Sequence, residues 1–323
     1  VADLTPVTFQ NRKGQRLFGI LHTPSGRPPG DLVLLLLSPG VKMRVGPQRL
    51  YLGITDALLA LGISVFRFDF HGLGDSEGTL PEEQLRDVYN HIEVGRYVGD
   101  TIDAMDWMQQ TYGTKRFLAS GLCGGAITGL LAADRDARLV GLLGLGITPV
   151  LAARSADTSR YMTVGQLEAS QRMYLRRLAS PQAWWRLLTF QTDNRLIWKM
   201  VKHWAKKALP RRPAPAVPAA PAAAQAAPPE DDNANPLFPP AFFKMLRTRR
   251  PMLLVFGGAD RLHYEYEEKF LARHKATLAG LPPLVDVHVI ESANHVLSLR
   301  EWQDELLALA IAWTRRHFPA DCS

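Results

Sequence analysis

The sequence predicts an α/β fold, a mostly parallel sheet flanked by helices, with a helical cap inserted into it. Three observations carry this expectation. Apolar runs of strand length, such as D-L-V-L-L-L-L-S at residues 31–38, alternate with longer stretches of helical periodicity. Those runs are apolar on consecutive residues, as strands covered on both faces must be. The alternation lapses between residues 149 and 250 and then resumes, which marks an insertion between two strands.

The elements follow in order. Residues 4–10 and 16–22 read as short strands, an opening hairpin. The run at 31–38 ends at Pro39-Gly40. Residues 49–61 place apolar side chains at helical spacing and stop at Gly62. S-V-F-R-F-D-F at 64–70 is the next strand, and 86–108 is mostly amphipathic helix. A strand at 116–122 runs at once into a helix at 124–134, rich in Ala, Leu and Gly, and 139–147 is a further buried strand. The insertion then holds two helical segments, 164–178 and 181–209. It closes with a Pro/Ala tract at 210–236 whose composition cannot bury a core and reads as a flexible linker. Strand, helix, strand and helix follow at 251–256, 264–278, 285–290 and 298–318. The expected organisation is one core in two parts, 1–148 and 250–323, with a cap at 149–249. No repeat of 20 to 50 residues is visible, which sets aside solenoids and propellers.

Composition narrows the function classes. A chain of 323 residues that is 46% hydrophobic and 21% charged is not a disordered one. Its apolar runs are too short to span a bilayer. The opening V-A-D-L-T-P lacks a basic segment followed by an apolar one, so no secretory signal is expected. Two cysteines, Cys123 and Cys322, do not suggest a disulfide framework and favour a reducing, cytoplasmic setting. The nine histidines form no H-x-x-x-H pair, so neither a metal site nor a cofactor is expected.

The chemistry concentrates in three segments. F-L-A-S-G-L-C-G-G-A-I at 117–127 places Gly121-x-Cys123-x-Gly125 between a predicted strand and a predicted helix. That is the context of a nucleophile elbow, with Cys where Ser is usual. Small neighbours suit it, because a sharp turn brings strand and helix close together. A thiolate at a helix N-terminus also gains from the dipole and the unpaired N–H groups. V-F-G-G-A-D-R-L at 255–262 ends a strand and carries Asp260. I-E-S-A-N-H-V-L-S at 290–298 ends the next and carries His295. Nucleophile, Asp, His, each just past a strand, is the chain order of the α/β-hydrolase triad. In that arrangement His295 takes the proton of Cys123, and Asp260 orients and stabilises the imidazole. The backbone N–H of Gly124 and one from S-P-G-V-K at 38–42, with Val41 favoured over Gly40, are expected to form an oxyanion hole. F-D-F-H-G-L-G-D-S-E-G at 68–78 carries His71 and Asp75, which are expected to stabilise that loop by hydrogen bonding.

Together the F-D-F-H-G-L-G-D-S-E-G loop, the G-L-C-G-G elbow, G-G-A-D-R and A-N-H resemble the α/β-hydrolase superfamily. R-V-G-P-Q-R-L-Y at 44–51 and M-Y-L-R-R-L-A-S-P-Q-A-W-W-R-L-L at 173–188 look like the bacterial exosortase-system-associated hydrolases, which also carry a cysteine elbow. The resemblance implies fold, triad and cytosolic location, and supplies no substrate. A cysteine elbow is also similar to those of dienelactone hydrolases and polyhydroxyalkanoate synthases. The cap is unlike the former, and the extended N-terminal region common in the latter is missing.

The expected activity is cleavage of an ester or thioester through an acyl-cysteine. Acyl transfer by the same intermediate is the first alternative, since a thioester is open to thiols and amines. A catalytically silent binding or scaffold protein is the second. The formal charge of +7 has an address: residues 149–212 carry 13 Lys+Arg against 3 Asp+Glu. That is a net +10 and leaves −3 for the rest. Four of the seven tryptophans, Trp184, Trp185, Trp198 and Trp204, lie in the same stretch. Such a cap suits an acyl carrier protein, the phosphates of coenzyme A or an anionic membrane surface. No nucleic-acid-binding module is present, so nucleic acid is not an expected partner.

Overall fold

The computed structural model describes residues 2–152 and 233–322. The predicted cap helices at 164–178 and 181–209, and most of the tract at 210–236, lie outside the described residues. The chain divides into two units, Val1–Ala152 with Ala234–Ser323, and Ala153–Asn233. The fold below is that of the first.

Eight strands form one sheet: β1 (Ala2–Gln10), β2 (Arg16–Pro24), β3 (Leu32–Leu37), β4 (Ser64–Phe68), β5 (Arg116–Leu122), β6 (Leu139–Leu145), β7 (Met252–Gly257) and β8 (Val285–Ile290). Their order is β1-β2-β4-β3-β5-β6-β7-β8. β1 and β2 are the expected antiparallel hairpin, β2 meets β4 antiparallel, and every other pairing is parallel. Every residue of β3, β4 and β7 is buried, as the unbroken apolar sequences of β3 and β7 require; β4 buries Ser64 and Arg67 as well.

The period of two along these strands sorts their side chains onto two faces. Val33, Leu35 and Leu37 join Phe66, Phe68 and Phe117 on one. That face is covered by α2 (Leu85–Glu93), α3 (Val98–Tyr112), α4 (Gly124–Arg135) and α5 (Phe238–Arg247). Leu32, Leu34 and Leu36 face the other way, under α1 (Leu50–Leu59) and the last helix, α8 (Arg300–His317). Between β7 and β8 the chain forms α6 (Arg261–Glu265), a π-helical turn at Tyr266–Leu271 and α7 (Ala272–Ala279).

The structure departs from the expected elements in two places. The single helix expected over 86–108 is two, because the chain breaks at residues 94–97, where Gly95 takes a positive φ of 98°. α5 was not marked by the sequence reading. It starts where the Asn235 side chain accepts the Leu237 N–H at 2.9 Å, and it buries Phe238 and Phe242 against Phe270.

Register explains why the site lies where it does. Leu37 pairs with Gly121 and Gly121 with Gly144, so β3, β5 and β6 end level. Gly257 pairs with Ile290 on the same side of the sheet. The segments holding Val41, Cys123, Asp260 and His295 all leave this one edge, the C-terminal ends of the parallel strands, where ligand sites of open α/β sheets form.

Candidate active site

Cys123 joins β5 to α4 with φ 53° and ψ −111°, a backbone conformation that costs a side-chain-bearing residue energy. Neighbouring contacts hold it there. The Cys123 N–H donates to Leu145 O at 2.8 Å, extending the β5–β6 ladder, and its carbonyl accepts the Ile127 N–H at 3.1 Å, the first bond of α4. The glycines around it are required by space. A Cβ on Gly121 would stand 2.6 Å from the Gly125 carbonyl carbon, and one on Gly125 would stand 2.4 Å from Leu37 O. The G-x-C-G-G pattern is therefore the close approach of β3, β5 and α4 written in sequence.

Asp260 and His295 meet because the loops after β7 and β8 are laced together. Gly258 N–H donates to Ile290 O at 2.8 Å and Ala259 N–H to Ala293 O at 3.0 Å. Gly257 permits this, since a Cβ there would lie 2.5 Å from Ala293 O. Asp260 caps α6 with one oxygen, accepting the Leu262 N–H at 3.3 Å, and takes His295 Nδ1 with the other at 2.6 Å. The Asp260 side chain is 6% exposed and that of His295 37%. Burial works against a charged His295, but the hydrogen bond to Asp260 and then the neighbouring Cys123 outweigh it and lift the imidazole to about 10. With Nδ1 committed to Asp260, Nε2 is the atom left for the sulfur. The structure thus joins His295 to Asp260 by a hydrogen bond and places Cys123 close enough to influence the imidazole.

The loop at 38–42 lies against the elbow. A Cβ on Gly124 would come within 2.8 Å of Gly40 Cα and 2.9 Å of Gly40 N. Among the described residues, neither the Gly124 N–H nor the Val41 N–H has an acceptor. Tyr51 ties the two segments from below. Its hydroxyl donates to Leu37 O at 2.7 Å and accepts the Leu122 N–H at 2.8 Å, one residue before each segment begins to turn.

Sequence reasoning missed four residues around this centre. Tyr51 was visible only as the end of R-V-G-P-Q-R-L-Y. Gly146, at φ +51°, backs the His–Asp pair; a Cβ there would sit 3.3 Å from His295 Nδ1 and 3.4 Å from Asp260 Oδ2. Tyr89 and Glu93 read only as parts of an amphipathic helix. Glu93 is buried, accepts the Ala152 N–H at 2.6 Å, and is pushed up to about 8 mainly by burial.

His71 and Asp75 stand in the loop after β4. His71 Nδ1 and its backbone N–H both meet Asp100 at 2.8 Å, and Asp75 pairs with Arg44 at 2.7 Å. Arg44 also pairs with the buried Asp69, whose carboxylate receives the Arg44 N–H at 2.6 Å and fixes the chain just beyond the 38–42 loop. Among the described residues no group of three or more His, Cys, Asp or Glu is placed to hold a metal ion, and no helix is long and apolar enough to cross a membrane.

A family model described as "Alpha/beta hydrolase family" matches residues 35–309, most of the chain and every residue of the site. The chain belongs to the alpha/beta hydrolase family. Solved structures agree at the level of fold. An alpha/beta hydrolase from Penicillium, GrgF, superposes with a TM-score of 0.56 at 15% identity, covering 98% of this chain and 99% of that one. An esterase from Pyrococcus furiosus gives 0.55 at 15% identity, covering 97% and 91%. A hypothetical protein from Pseudomonas aeruginosa gives 0.54 at 17% identity, covering 97% and 94%. No curated protein matches the sequence. The alpha/beta hydrolase fold therefore rests on topology and family together, while the chemistry of this hydrolase rests on its own residues.

Proposed function

We propose that this alpha/beta hydrolase cleaves an ester or thioester through an acyl-cysteine intermediate. The observation that carries the reading is Cys123 on a strained strand-to-helix turn, with the hydrogen-bonded His295–Asp260 pair beside it. Cys123 Sγ attacks the substrate carbonyl carbon while its proton resides on His295 Nε2. The carbonyl π pair moves onto oxygen, which the N–H groups of Gly124 and Val41 receive. Collapse breaks the bond to the alcohol or thiol, which leaves with the proton from His295. Water, deprotonated by His295, then attacks the thioester and releases the acid and the thiol. Asp260 accepts the Nδ1–H throughout and stabilises the imidazolium.

One observation favours a second reading, acyl transfer. The nucleophile is sulfur, and an acyl thioester accepts thiols and amines more readily than an oxyester does. The bacterial exosortase-system-associated hydrolases remain the relatives suggested by residues 44–51 and 173–188, and with them a cytoplasmic setting. The basic excess of residues 149–212 suits an acyl carrier protein, coenzyme A phosphates or an anionic membrane surface as the source of the acyl group.

The test is the fate of the acyl group. The protein is incubated with acyl-CoA and p-nitrophenyl esters, with and without thiol or amine acceptors. Free acid formed at the same rate with and without acceptor supports hydrolysis. Acceptor adducts that grow at the expense of acid support transfer. No turnover and no covalent adduct across the panel would instead support a silent fold.

A further inference from the structure

The Tyr89 ring packs on Gly40, in the loop expected to complete the oxyanion hole, and its phenol has no described partner. α2 packs directly on the junction between the elbow and the 38–42 loop. A Cβ on Gly40 would meet Tyr89 Cε1 at 2.8 Å and its hydroxyl oxygen at 3.3 Å, and one on Gly124 would meet Ile92 Cγ2 at 3.0 Å. One edge of α2, Tyr89 and Ile92, therefore lies along the two residues whose backbones flank the position of a substrate carbonyl oxygen. Gly40 has a φ of +60° and no side chain, which is what lets the Tyr89 ring reach this depth.

The hydroxyl is chemically free to act. Tyr51, the other phenol at the site, spends its hydroxyl on Leu37 and Leu122. Tyr89 bonds no described group, is half-buried, and its hydroxyl is not among the fully enclosed polar atoms, so its O–H is open to a further acceptor. Burial, and then the neighbouring Cys123 and Glu93, hold the phenol above its ordinary range, so it keeps its proton as a donor. A sulfur nucleophile makes such a donor useful. The C–S bond is longer than the C–O bond of a serine ester, so the acyl carbon stands farther from the elbow backbone, and a side chain reaching in from α2 can follow the oxygen.

We infer that Tyr89 is a catalytic residue, a third donor to the oxyanion formed when Cys123 attacks the acyl carbon. This rests on the acyl-cysteine reading above. Tyr89 gives a hydrogen bond and keeps its proton. The new bond is Sγ–C, the carbonyl π pair becomes the oxyanion lone pair, and the thiol proton stays on His295 until the leaving group takes it.

The test compares two reactions of Cys123 in the full chain. Acylation by a p-nitrophenyl ester passes through an oxyanion, whereas alkylation by iodoacetamide displaces iodide and forms none. Tyr89→Phe keeps the ring and removes the donor. It is expected to slow acylation, read by p-nitrophenol release and intact mass, roughly ten- to a hundredfold. KM should stay within about twofold, the alkylation rate should be unchanged, and thermal unfolding should stay close to wild type. Equal rates of acylation in Tyr89→Phe and wild type would overturn the inference. So would a loss of alkylation equal to the loss of acylation, since Tyr89 would then act on the sulfur or the fold. If Cys123→Ala acylates and turns over like wild type, the acyl-cysteine reading itself has failed and this inference with it, an outcome distinct from failure of Tyr89→Phe alone.

Discussion

Two histidine–carboxylate pairs sit at the same edge of the sheet. In one, His295 Nδ1 meets Asp260 at 2.6 Å; in the other, His71 Nδ1 meets Asp100 at 2.8 Å. Both carboxylates are 6% exposed. The pairs part company in what surrounds the ring. Asp100 also accepts the His71 backbone N–H and the Asn11 amide at 3.0 Å, and the His71 ring stands edge-on to Tyr97, 10% exposed. That is a knot closing a loop. His295 leaves 37% of its side chain exposed and lies close enough to Cys123 to feel its charge. The lesson is that a buried Asp–His pair alone does not mark a candidate base; a ring edge left free beside a candidate nucleophile is what sets His295 apart.

The comparison breaks most directly by removing each carboxylate. Asp260→Asn and His295→Gln are expected to lower kcat roughly 10³- to 10⁴-fold with the fold retained. His71→Gln and Asp100→Asn are expected to keep kcat within a few-fold, measured where the variant is folded, and to lower the melting temperature. If a His71 variant that is folded by circular dichroism lost turnover as His295→Gln does, the distinction between the pairs would collapse.

A smaller effect is expected at Tyr51, which holds the strand ends that lead into the elbow and the 38–42 loop. Tyr51→Phe strands Leu37 O and the Leu122 N–H in the core, each at a cost of about 1–3 kcal/mol. Stability in urea should fall accordingly. Turnover should fall about tenfold, because the chain enters both the elbow and the 38–42 loop from these two residues. Unchanged kcat in a destabilised Tyr51→Phe would make Tyr51 a structural clamp only.

How much of this was legible in sequence follows from how local each feature is. The elbow could be read because the close approach of β3, β5 and α4 imposes glycines within four residues of Cys123. Asp260 and His295 could be read because each follows a recognisable strand, the apolar run of β7 and the alternating valines of β8. Tyr51, Tyr89, Gly146 and Glu93 could not, because their roles arise where distant segments meet: residue 51 under residue 122, residue 89 on residue 40, residue 146 behind residue 295. The break between α2 and α3 turns on Gly95, which a helical pattern tolerates. α5 follows a Pro/Ala tract and carries Pro239 and Pro240 in its first turn, which masked it.

The pH dependence of stability sharpens the contrast between the site and its surroundings. His295 is lifted to about 10, above its ordinary 6.5, so its contribution is fully present below 6.5 and is lost as pH rises toward 10. Asp260→Asn should flatten that alkaline decline in melting temperature. Glu93 titrates in the opposite chemical sense with the same slope. Its folded value of about 8 exceeds the ordinary 4.5, so the folded state binds the extra proton between those values and stability falls as pH rises through them. Glu93→Gln keeps a carbonyl oxygen for the Ala152 N–H and has no proton to lose. Its melting temperature should match wild type near pH 5 and exceed it by a few degrees at pH 8. A gap that shrinks with pH would contradict the buried, protonated Glu93.

The central claim is that Cys123 carries the acyl group. Brief incubation with a p-nitrophenyl ester, followed by acid quench, proteolysis and mass mapping, tests it directly. The account predicts the acyl mass increment on the peptide containing Cys123, and loss of both increment and turnover in Cys123→Ala. Full turnover in Cys123→Ala, or an acyl group mapped to a different residue in the wild-type protein, would contradict it.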